Sequence, residues 1–218
     1  MNFKYIRNVT TPTATYVQPD FTEHIKDKQN IKVIVECGSR DLLDALQLEI
    51  LYPNATILSF ECNPECVDVC KHNIQNSQGR IKFFNYALSN IEGEINFHSF
   101  DTANCPAHNA GISSIYQHKD VADAPMNKIK VQSKTLKSIL KNLNITQVDM
   151  LCLDLQGGEY NLLLGLEELI DTVKFIIAEF DSDFYTNAPS NQQLINFLTA
   201  NNFIPIYTHG DTLFKRSL

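Results

Sequence analysis

From Ile31 onward, short apolar runs rich in β-branched residues alternate with segments of helical spacing. Ile31–Glu36 reads as a buried strand. Leu42, Leu43, Leu46, Ile50 and Leu51 then fall at helical spacing, and Thr56–Phe60 reads as a second strand. Asn63-Pro64-Glu65 predicts a helix start: Asn as N-cap, Pro in the first turn and an acid near the positive end of the helix dipole. Val67, Cys70 and Ile74 mark the buried face of that helix, and Ile81–Tyr86 is a third strand. Strands separated by helices at this spacing predict βαβ units. Their strands read as continuous apolar runs because helices cover both faces of a parallel sheet.

The middle of the chain breaks this rhythm. Glu94–Phe100 and Lys128–Ser133 alternate and predict two further strands, and Thr135–Asn142 predicts a short helix. Between those strands Asp101–Asn127 is polar, lacks a period and holds Pro106 and Pro125. A loop of this length in a compact domain predicts a lid or binding loop. The rhythm resumes with a strand at Val148–Leu153, a helix at Glu159–Ile170 and a strand at Val173–Phe180. Ser190-x-x-Gln193 is a capping box opening a helix to Asn201. Phe203–Tyr207, His209-Gly210 and Thr212–Lys215 predict a closing β-hairpin. At the other end, residues 1–17 predict an irregular arm, and Pro19 a short helix through Lys28 with Phe21 and Ile25 on one face. The organisation expected is an arm and short helix over residues 1–30, then an α/β domain over 31–218 with a polar insertion at about 101–127. Its class is a three-layer sandwich around a Rossmann-like, mostly parallel, seven-stranded sheet with a C-terminal antiparallel hairpin. A dinucleotide-binding domain would instead continue with parallel strands.

Composition adds exclusions. Hydrophobic residues make up 44% of the chain, enough for a full core, and the net charge is −7. An acidic chain disfavours a nucleic-acid partner, which calls for a basic face. The stretch from Met1 to Arg7 lacks the apolar core of a signal peptide, and no apolar run reaches the length of a membrane span. A cytoplasmic, reducing setting without membrane contact is therefore expected. There the six cysteines are free thiols, and the sequons at Asn8, Asn54 and Asn144 are chance.

Three constellations carry candidate chemistry. Glu36-Cys37-Gly38-Ser39-Arg40-Asp41 closes the first strand, where ligands of open α/β sheets sit. Gly38 lets the backbone approach a ligand, and a branched side chain there would fill the approach path. One glycine, rather than G-x-G-x-x-G, disfavours a pyrophosphate cofactor. Phe60-Glu61-Cys62-Asn63-Pro64 places an acid at the end of the second strand, roughly twenty residues on, where a carboxylate accepts both hydrogen bonds of a ribose diol. Asp154-Leu155-Gln156-Gly157-Gly158-Glu159 places an acid and two glycines at the end of the fourth strand of the rhythm. Cys62, Cys66 and Cys70 share a helical face, but no CxxC or histidine pair accompanies them, so packing rather than metal binding is expected. His98, His108 and His118 read as surface residues near the insertion, one of which could act as a base.

Together these motifs resemble an FkbM-type methyltransferase. The likeness runs from about Ile31 to Phe180. It includes Val35-Glu36-Cys37-Gly38, Phe60-Glu61-Cys62-Asn63-Pro64 and Asn85-Tyr86-Ala87-Leu88-Ser89-Asn90 with Gly93. It continues through Gly111-Ile112-Ser113-Ser114, Val131-x-x-x-Thr135-Leu136, Asp154-Leu155-Gln156-Gly157-Gly158-Glu159 and Ala178-Glu179-Phe180. The resemblance implies a class I methyltransferase fold and S-adenosyl-L-methionine as cofactor. It implies that Glu36, Gly38 and Ser39 line the methionine part and that Glu61, with Cys62 beside it, holds the ribose. Tyr86 and Ala87 would border the adenine. Asp154 and Gln156 would face the methyl-donor end, with Asp154 the candidate catalytic residue. Ser113 and Ser114 would belong to a lid that docks near the cofactor over the acceptor.

The chain departs from the family at two places. Ser39-Arg40-Asp41-Leu42 stands where Ala-Asn-x-Gly is frequent, and Cys152 and Gln156 stand where Lys and Glu are frequent. Arg40 could meet the cofactor carboxylate, but an ion pair with Asp41 or Asp44 is the expectation. The strand end lacks the Asn/Asp-Pro-Pro-Tyr sequence of many amine methyltransferases. The function expected is O-methylation of a sugar or small hydroxylated metabolite, a small-molecule or glycan acceptor. The alternatives are a cofactor-binding module without transferase activity, motivated by Cys152 and Gln156, and a nucleotide-dependent oxidoreductase.

Overall fold

The computed structural model of the chain describes residues 3–5, 14–101, 110–119 and 126–217. The regular elements are α1 (Pro19–Thr22), β1 (Val33–Cys37), α2 (Leu43–Leu51), β2 (Thr56–Phe60), α3 (Pro64–Asn73), β3 (Ile81–Phe84), β4 (Ala87–Leu88), β5 (Gly93–Phe100), β6 (Gln117–His118), β7 (Met126–Lys134), α4 (Leu136–Asn142), β8 (Met150–Leu153), α5 (Glu159–Leu164), β9 (Phe175–Ala178), β10 (Tyr185–Thr186), α6 (Asn191–Ala200), β11 (Phe203–His209) and β12 (Asp211–Arg216). The main sheet has seven strands in the order β11-β12-β9-β8-β1-β2-β3. The five from β9 to β3 are parallel, and β12 runs antiparallel to β9 and to β11. This is the α/β, Rossmann-like sheet with a C-terminal antiparallel hairpin that the pattern predicted.

Alternation along the central strands builds a core on each face. Val35 and Cys37 of β1, Leu58 and Phe60 of β2, Leu151 and Leu153 of β8, and Ile176 of β9 point to one side. There they meet Leu136, Ile139, Leu162, Leu163, Leu194 and Leu198 of α4, α5 and α6. Ile34, Ile57, Met150, Cys152 and Ile177 point to the other, against Leu46 and Leu48 of α2, Cys70 of α3, and Tyr16, Phe21 and Ile25 of the N-terminal segment. A side chain on either face is buried, so each strand is apolar at nearly every position.

Three local expectations are corrected. The helix at Pro19 ends at Thr22, because the His24 amide bonds the Phe21 carbonyl and the Ile25 amide that of Thr22, tight turns that carry Ile25 into the core. The helix at Glu159 ends at Leu164. A Cβ at Gly165 would lie 2.5 Å from the Ser89 carbonyl oxygen, so only glycine fits where the helix meets that loop, and Glu167–Thr172 continues as 3₁₀ turns. The third strand stops at Phe84 because Ala87 and Leu88 leave the main sheet to pair with Ser133 and Lys134.

That pairing belongs to a second sheet, β4-β7-β5. β5 and β7 run antiparallel in unbroken register from Gly93↔Ser133 to Phe100↔Met126. The polar insertion is therefore the connection across the end of a long two-stranded ladder. Residues 102–109 and 120–125 of it, including His108, lie outside the described residues, as does Asn8. The described part, Ala110–Lys119, folds back. Ser114 bridges to His98 of β5, and Gln117 and His118 pair with Thr186 and Tyr185. No helix among the described residues is long and apolar enough to cross a membrane.

Candidate functional site

The carboxyl ends of β1 and β8 meet where the chain turns to opposite sides of the sheet, the position at which open α/β sheets leave a crevice. Gly38 takes φ +88°, and a Cβ there would lie 1.9 Å from the Asp154 carbonyl oxygen. Glycine is required because two backbones touch. The Gly38 and Ser39 amides both donate to the Phe60 carbonyl, which ties the turn to β2. The expectation that a side chain at Gly38 would mainly obstruct a ligand is corrected: it would first force β8 away from β1.

Over this junction opens a cleft of about 660 Å3, counting the part that opens to solvent. Gly38, Arg40, Glu61, Cys62, Tyr86, Ala87, Ser113, Asp154 and Gln156 all line it, together with Phe60, Leu88, Phe97 and Ile115. Residues from six separate stretches of sequence thus share one wall. Ser114 lies just behind, 1% exposed. Glu36 and Ser39 come to the junction but not to the cleft surface. Alternation turns Glu36 to the α2 face of β1, where the Ser59 hydroxyl is 2.6 Å from Glu36 Oε2 and 2.8 Å from Ser39 Oγ.

Glu61 is held by the main chain. Its Oε2 accepts from the Arg40 amide at 2.8 Å, and its Oε1 from the Cys62 and Asn63 amides at 2.7 Å each. Burial pushes its pKa up, and the three amides oppose that. The tight positioning explains why Arg40 adopts φ +51° and Leu42 φ +69°, which bend the chain so that the Arg40 amide faces β2. The Arg40 side chain departs from expectation. It forms no ion pair with Asp41 or Asp44 among the described residues, and its Nε is buried without a hydrogen-bond partner. Asp44 Oδ1 instead receives the Thr15 and Tyr16 amides.

The described part of the insertion forms one wall. Asn63, the N-cap of α3, donates from Nδ2 to Ser113 Oγ at 3.2 Å and accepts from the Ser99 hydroxyl at Oδ1. The Ser113 oxygen also accepts the Phe100 amide. Ser114 donates to the Gln156 carbonyl at 2.7 Å and accepts the Tyr116 amide. Tyr185 supports the wall from behind, its hydroxyl 3.1 Å from the Ile112 carbonyl and 2.5 Å from Gln156 Oε1. Gln156 is itself fixed in the left-handed region, φ +54°, ahead of Gly157 at φ +93°. Its Nε2 bridges Asp154 Oδ1 at 2.7 Å and Glu179 Oε2 at 2.6 Å. His98 reaches this wall through its backbone, and partial burial and Lys128 push its imidazole pKa down. Cys66 and Cys70 are buried, while half-buried Cys62 borders the cleft with Cys66. No metal-binding group of three or more side chains occurs among the described residues.

The sequence pattern alone assigns no role to Glu179, Asn63, Cys66 or Tyr185 in this cleft. Glu179 carries a legible signal all the same: it follows β9 as Asp154 follows β8, and adjacent parallel strands bring their ends together.

Several acids here are held above the usual carboxylate range, chiefly by burial: Glu36 to about 8, Glu159 to about 7, Asp211 to about 7 and Asp44 to about 6. Glu179 is pushed well up, by burial first and then by the charge of Asp154, contact with its side chain, and the charge of Asp181. Each group holds its proton in the folded chain at a pH where the unfolded chain has lost it. The folded state thus binds more protons above about pH 4.5, and stability falls as pH rises through the folded values. Glu92, pulled down to about 2, titrates below this window. The melting temperature is expected to be at least about 5 °C lower at pH 8.5 than at pH 5.5, given ~2–4 °C per kcal/mol for a domain of this size. A flat or rising profile in a calorimetric scan would contradict the protonated assignment.

A family model described as the methyltransferase FkbM domain matches residues 37–205. The 2-O-methyltransferase NoeI of Sinorhizobium fredii is 23% identical over 201 residues, covering 85% of this chain and 79% of its own length. The methyltransferase sdnD of Sordaria araneosa is 26% identical over 174 residues, covering 68% of this chain and 66% of its own. Among solved structures, a putative O-methyltransferase from Klebsiella pneumoniae superposes with a TM-score of 0.54 at 12% identity, over 94% of this chain and 82% of that one.

Proposed function

The chain belongs to the FkbM methyltransferase domain family, and from that premise we propose that it transfers the methyl group of S-adenosyl-L-methionine to a hydroxyl of a sugar or small hydroxylated metabolite. The observation that carries the reading is the convergence of Glu61, Asp154 and the unpartnered Arg40 Nε on one cleft at the β1/β8 junction. A donor carrying a ribose diol, a carboxylate and a cationic sulfur offers a partner of complementary chemistry to each of the three. Glu61 would receive a ribose hydroxyl on the lone pair its three amides leave free. Arg40 would meet the carboxylate, which supplies its buried Nε with an acceptor. Tyr86, Ala87, Leu88 and Phe97 offer the apolar wall that a base requires. Gly38, Ser39, Glu36 and Cys62 shape the turn beneath.

The cofactor supplies an activated methyl group on a sulfonium, so the chain need not activate the donor. Its task is to orient two reactants and receive one proton from the acceptor. Ser113 and Ser114 fasten the insertion against Asn63 and Gln156, which narrows the cleft beside Asp154 and limits the entry of water. Asp154 is the carboxylate that lines the cleft nearest the junction and the candidate group for the acceptor's proton. Oxygen is favoured over nitrogen as acceptor because Asp154-Leu155-Gln156-Gly157 has no Pro-Pro-Tyr to cradle an amine. The 2-O-methyltransferase activity of the relative NoeI points the same way. The net charge of −7 disfavours an RNA acceptor. A cytoplasmic setting accords with the unpaired buried thiols of Cys37, Cys66, Cys70 and Cys152.

The test is calorimetric titration with S-adenosylmethionine, followed by a panel of sugars, phenols, hydroxy acids, amines and a structured RNA. S-adenosylhomocysteine release is the readout. Release that depends on a hydroxylated acceptor is expected. Binding without release on any acceptor would favour a non-catalytic module, and release on amines or RNA alone would overturn the O-methylation reading.

A further inference from the structure

Asp154, Gln156 and Glu179 meet beside the cleft, which Asp154 and Gln156 line. A primary amide has two N–H groups, and Gln156 uses both, one on each carboxyl group. The Gln156 carbonyl oxygen faces the Tyr185 hydroxyl, which fixes which end of the amide points at the acids. Asp154 alone of the two acids also lines the cleft.

The groups around this pair are acidic from nearly every neighbouring element. Asp154 ends β8 and Glu179 follows β9. Asp181 lies beyond it, Asp211 starts β12, Glu159 starts α5, and Tyr185 of β10 and Tyr16 of the N-terminal segment feel the same charges. Asp44 of α2 contributes from the other face, partly offset by Arg40. The charges of Asp154, Asp181 and Asp211 that act on Glu179 are all negative. Buried beside the negative charges of Asp154 and Asp181, Glu179 is not ionised cheaply and keeps its proton, although the Gln156 N–H opposes this. A cation placed against Asp154 removes that restriction.

We infer that Asp154 and Glu179, bridged by Gln156, form a charge-matching pair in which Glu179 keeps its proton in the absence of a cation and releases it when a cationic ligand lies against Asp154, so that the site favours a sulfonium over the neutral thioether left after transfer. The inference rests on the cofactor assignment proposed for the cleft and adds to it a preference between two forms of the cofactor. Only a proton moves: the carboxyl O–H bond breaks, the proton passes to solvent buffer, and the pair gains one negative charge that balances the ligand's positive one. Loss of the ligand's charge reverses the step. The pair then takes up a proton, and the neutral ligand leaves a site no longer matched to it.

Isothermal titration of the full chain with S-adenosylmethionine and with S-adenosylhomocysteine tests this, in buffers of different ionisation enthalpy between pH 6.5 and 8.5. The sulfonium is expected to release about one proton per molecule bound and to gain affinity with pH by up to about tenfold per unit. The thioether is expected to release few protons and to show a shallow profile. The two ligands carry the same amino and carboxylate groups, and Glu179→Gln controls for their titration. The variant keeps the acceptor for Gln156 and should bind the sulfonium with the proton release abolished. Its fold is verified by its melting curve, and the wild-type comparison of the two ligands stands without it. Equal proton release for both ligands, or release unchanged in folded Glu179→Gln, overturns the charge-matching pair while leaving the cofactor assignment intact. Binding of neither ligand sinks the cofactor assignment, and the charge-matching pair with it.

Discussion

Gly38→Ala is expected to destabilise the protein by about 3 kcal/mol or more and to abolish cofactor binding together with the fold of the junction. The added methyl group would stand 1.9 Å from a main-chain oxygen, that of Asp154. Neither atom sits on a flexible side chain, so relief requires β1 and β8 to part. These two strands are paired from Ile34↔Met150 to Cys37↔Leu153 at the centre of the sheet. Overpacking of this kind costs ~1–3 kcal/mol, and the left-handed backbone adds ~1–2 for any L side chain. Gly79→Ala is the matched control. Gly79 has φ +95°, but open space surrounds its Cβ position, so only the backbone cost applies. Urea denaturation of the two variants separates the contributions. Equal midpoints would show that β8 does not press on Gly38.

Glu61→Ala is expected to be the most damaging side-chain deletion in the cleft. It removes the acceptor for the amides of Arg40, Cys62 and Asn63 at once. Each buried donor left without a partner costs ~1–3 kcal/mol, so a loss of about 3 kcal/mol of stability or more is expected. Glu61→Gln separates holding the chain from holding a ligand. The amide retains one oxygen for two of the three donors but presents an N–H where a ribose hydroxyl would donate. It should fold and yet bind S-adenosylhomocysteine ~10–100-fold more weakly, the scale of a lost hydrogen bond to a charged group. Unchanged affinity in folded Glu61→Gln would remove Glu61 from the ribose site.

Elements governed by near neighbours along the chain are legible from the residues themselves. The Asn63 N-cap accepts the Glu65 amide, and Ser190 and Gln193 form both bonds of the capping box. The apolar runs of β1, β2 and β8 carry their identity because both faces are covered. Pairing across long intervals is not legible in this way. Glu94–Phe100 and Lys128–Ser133 each read as strands, but nothing local says that they pair with one another, since alternation specifies a face and not a partner. The same limit hides the Gln156 to Glu179 bridge, which joins the ends of two strands. Arg40 misleads for a different reason: two nearby acids make an ion pair the natural expectation, and the backbone of Thr15 and Tyr16 claims Asp44 first. Gly38 stands out in the sequence for its freedom of approach, but the object approached is the protein's own main chain.

The ladder between β5 and β7 also bears on how this architecture tolerates change. Its paired register clamps both ends of the excursion from Asp101 to Pro125 at Phe100 and Met126, outside the seven-stranded sheet. Once the ends of a loop are fixed, the entropy of closing it grows only with the logarithm of its length, ~0.6 kcal/mol for each doubling. Length can thus be added to that excursion at small thermodynamic cost as long as Ser113 and Ser114 keep their bonds to Asn63 and Gln156, while the junction of Gly38 and Asp154 keeps its geometry. The hairpin acts as a graft point, a place where one wall of the cleft can be extended by insertion without renegotiating the fold that carries it.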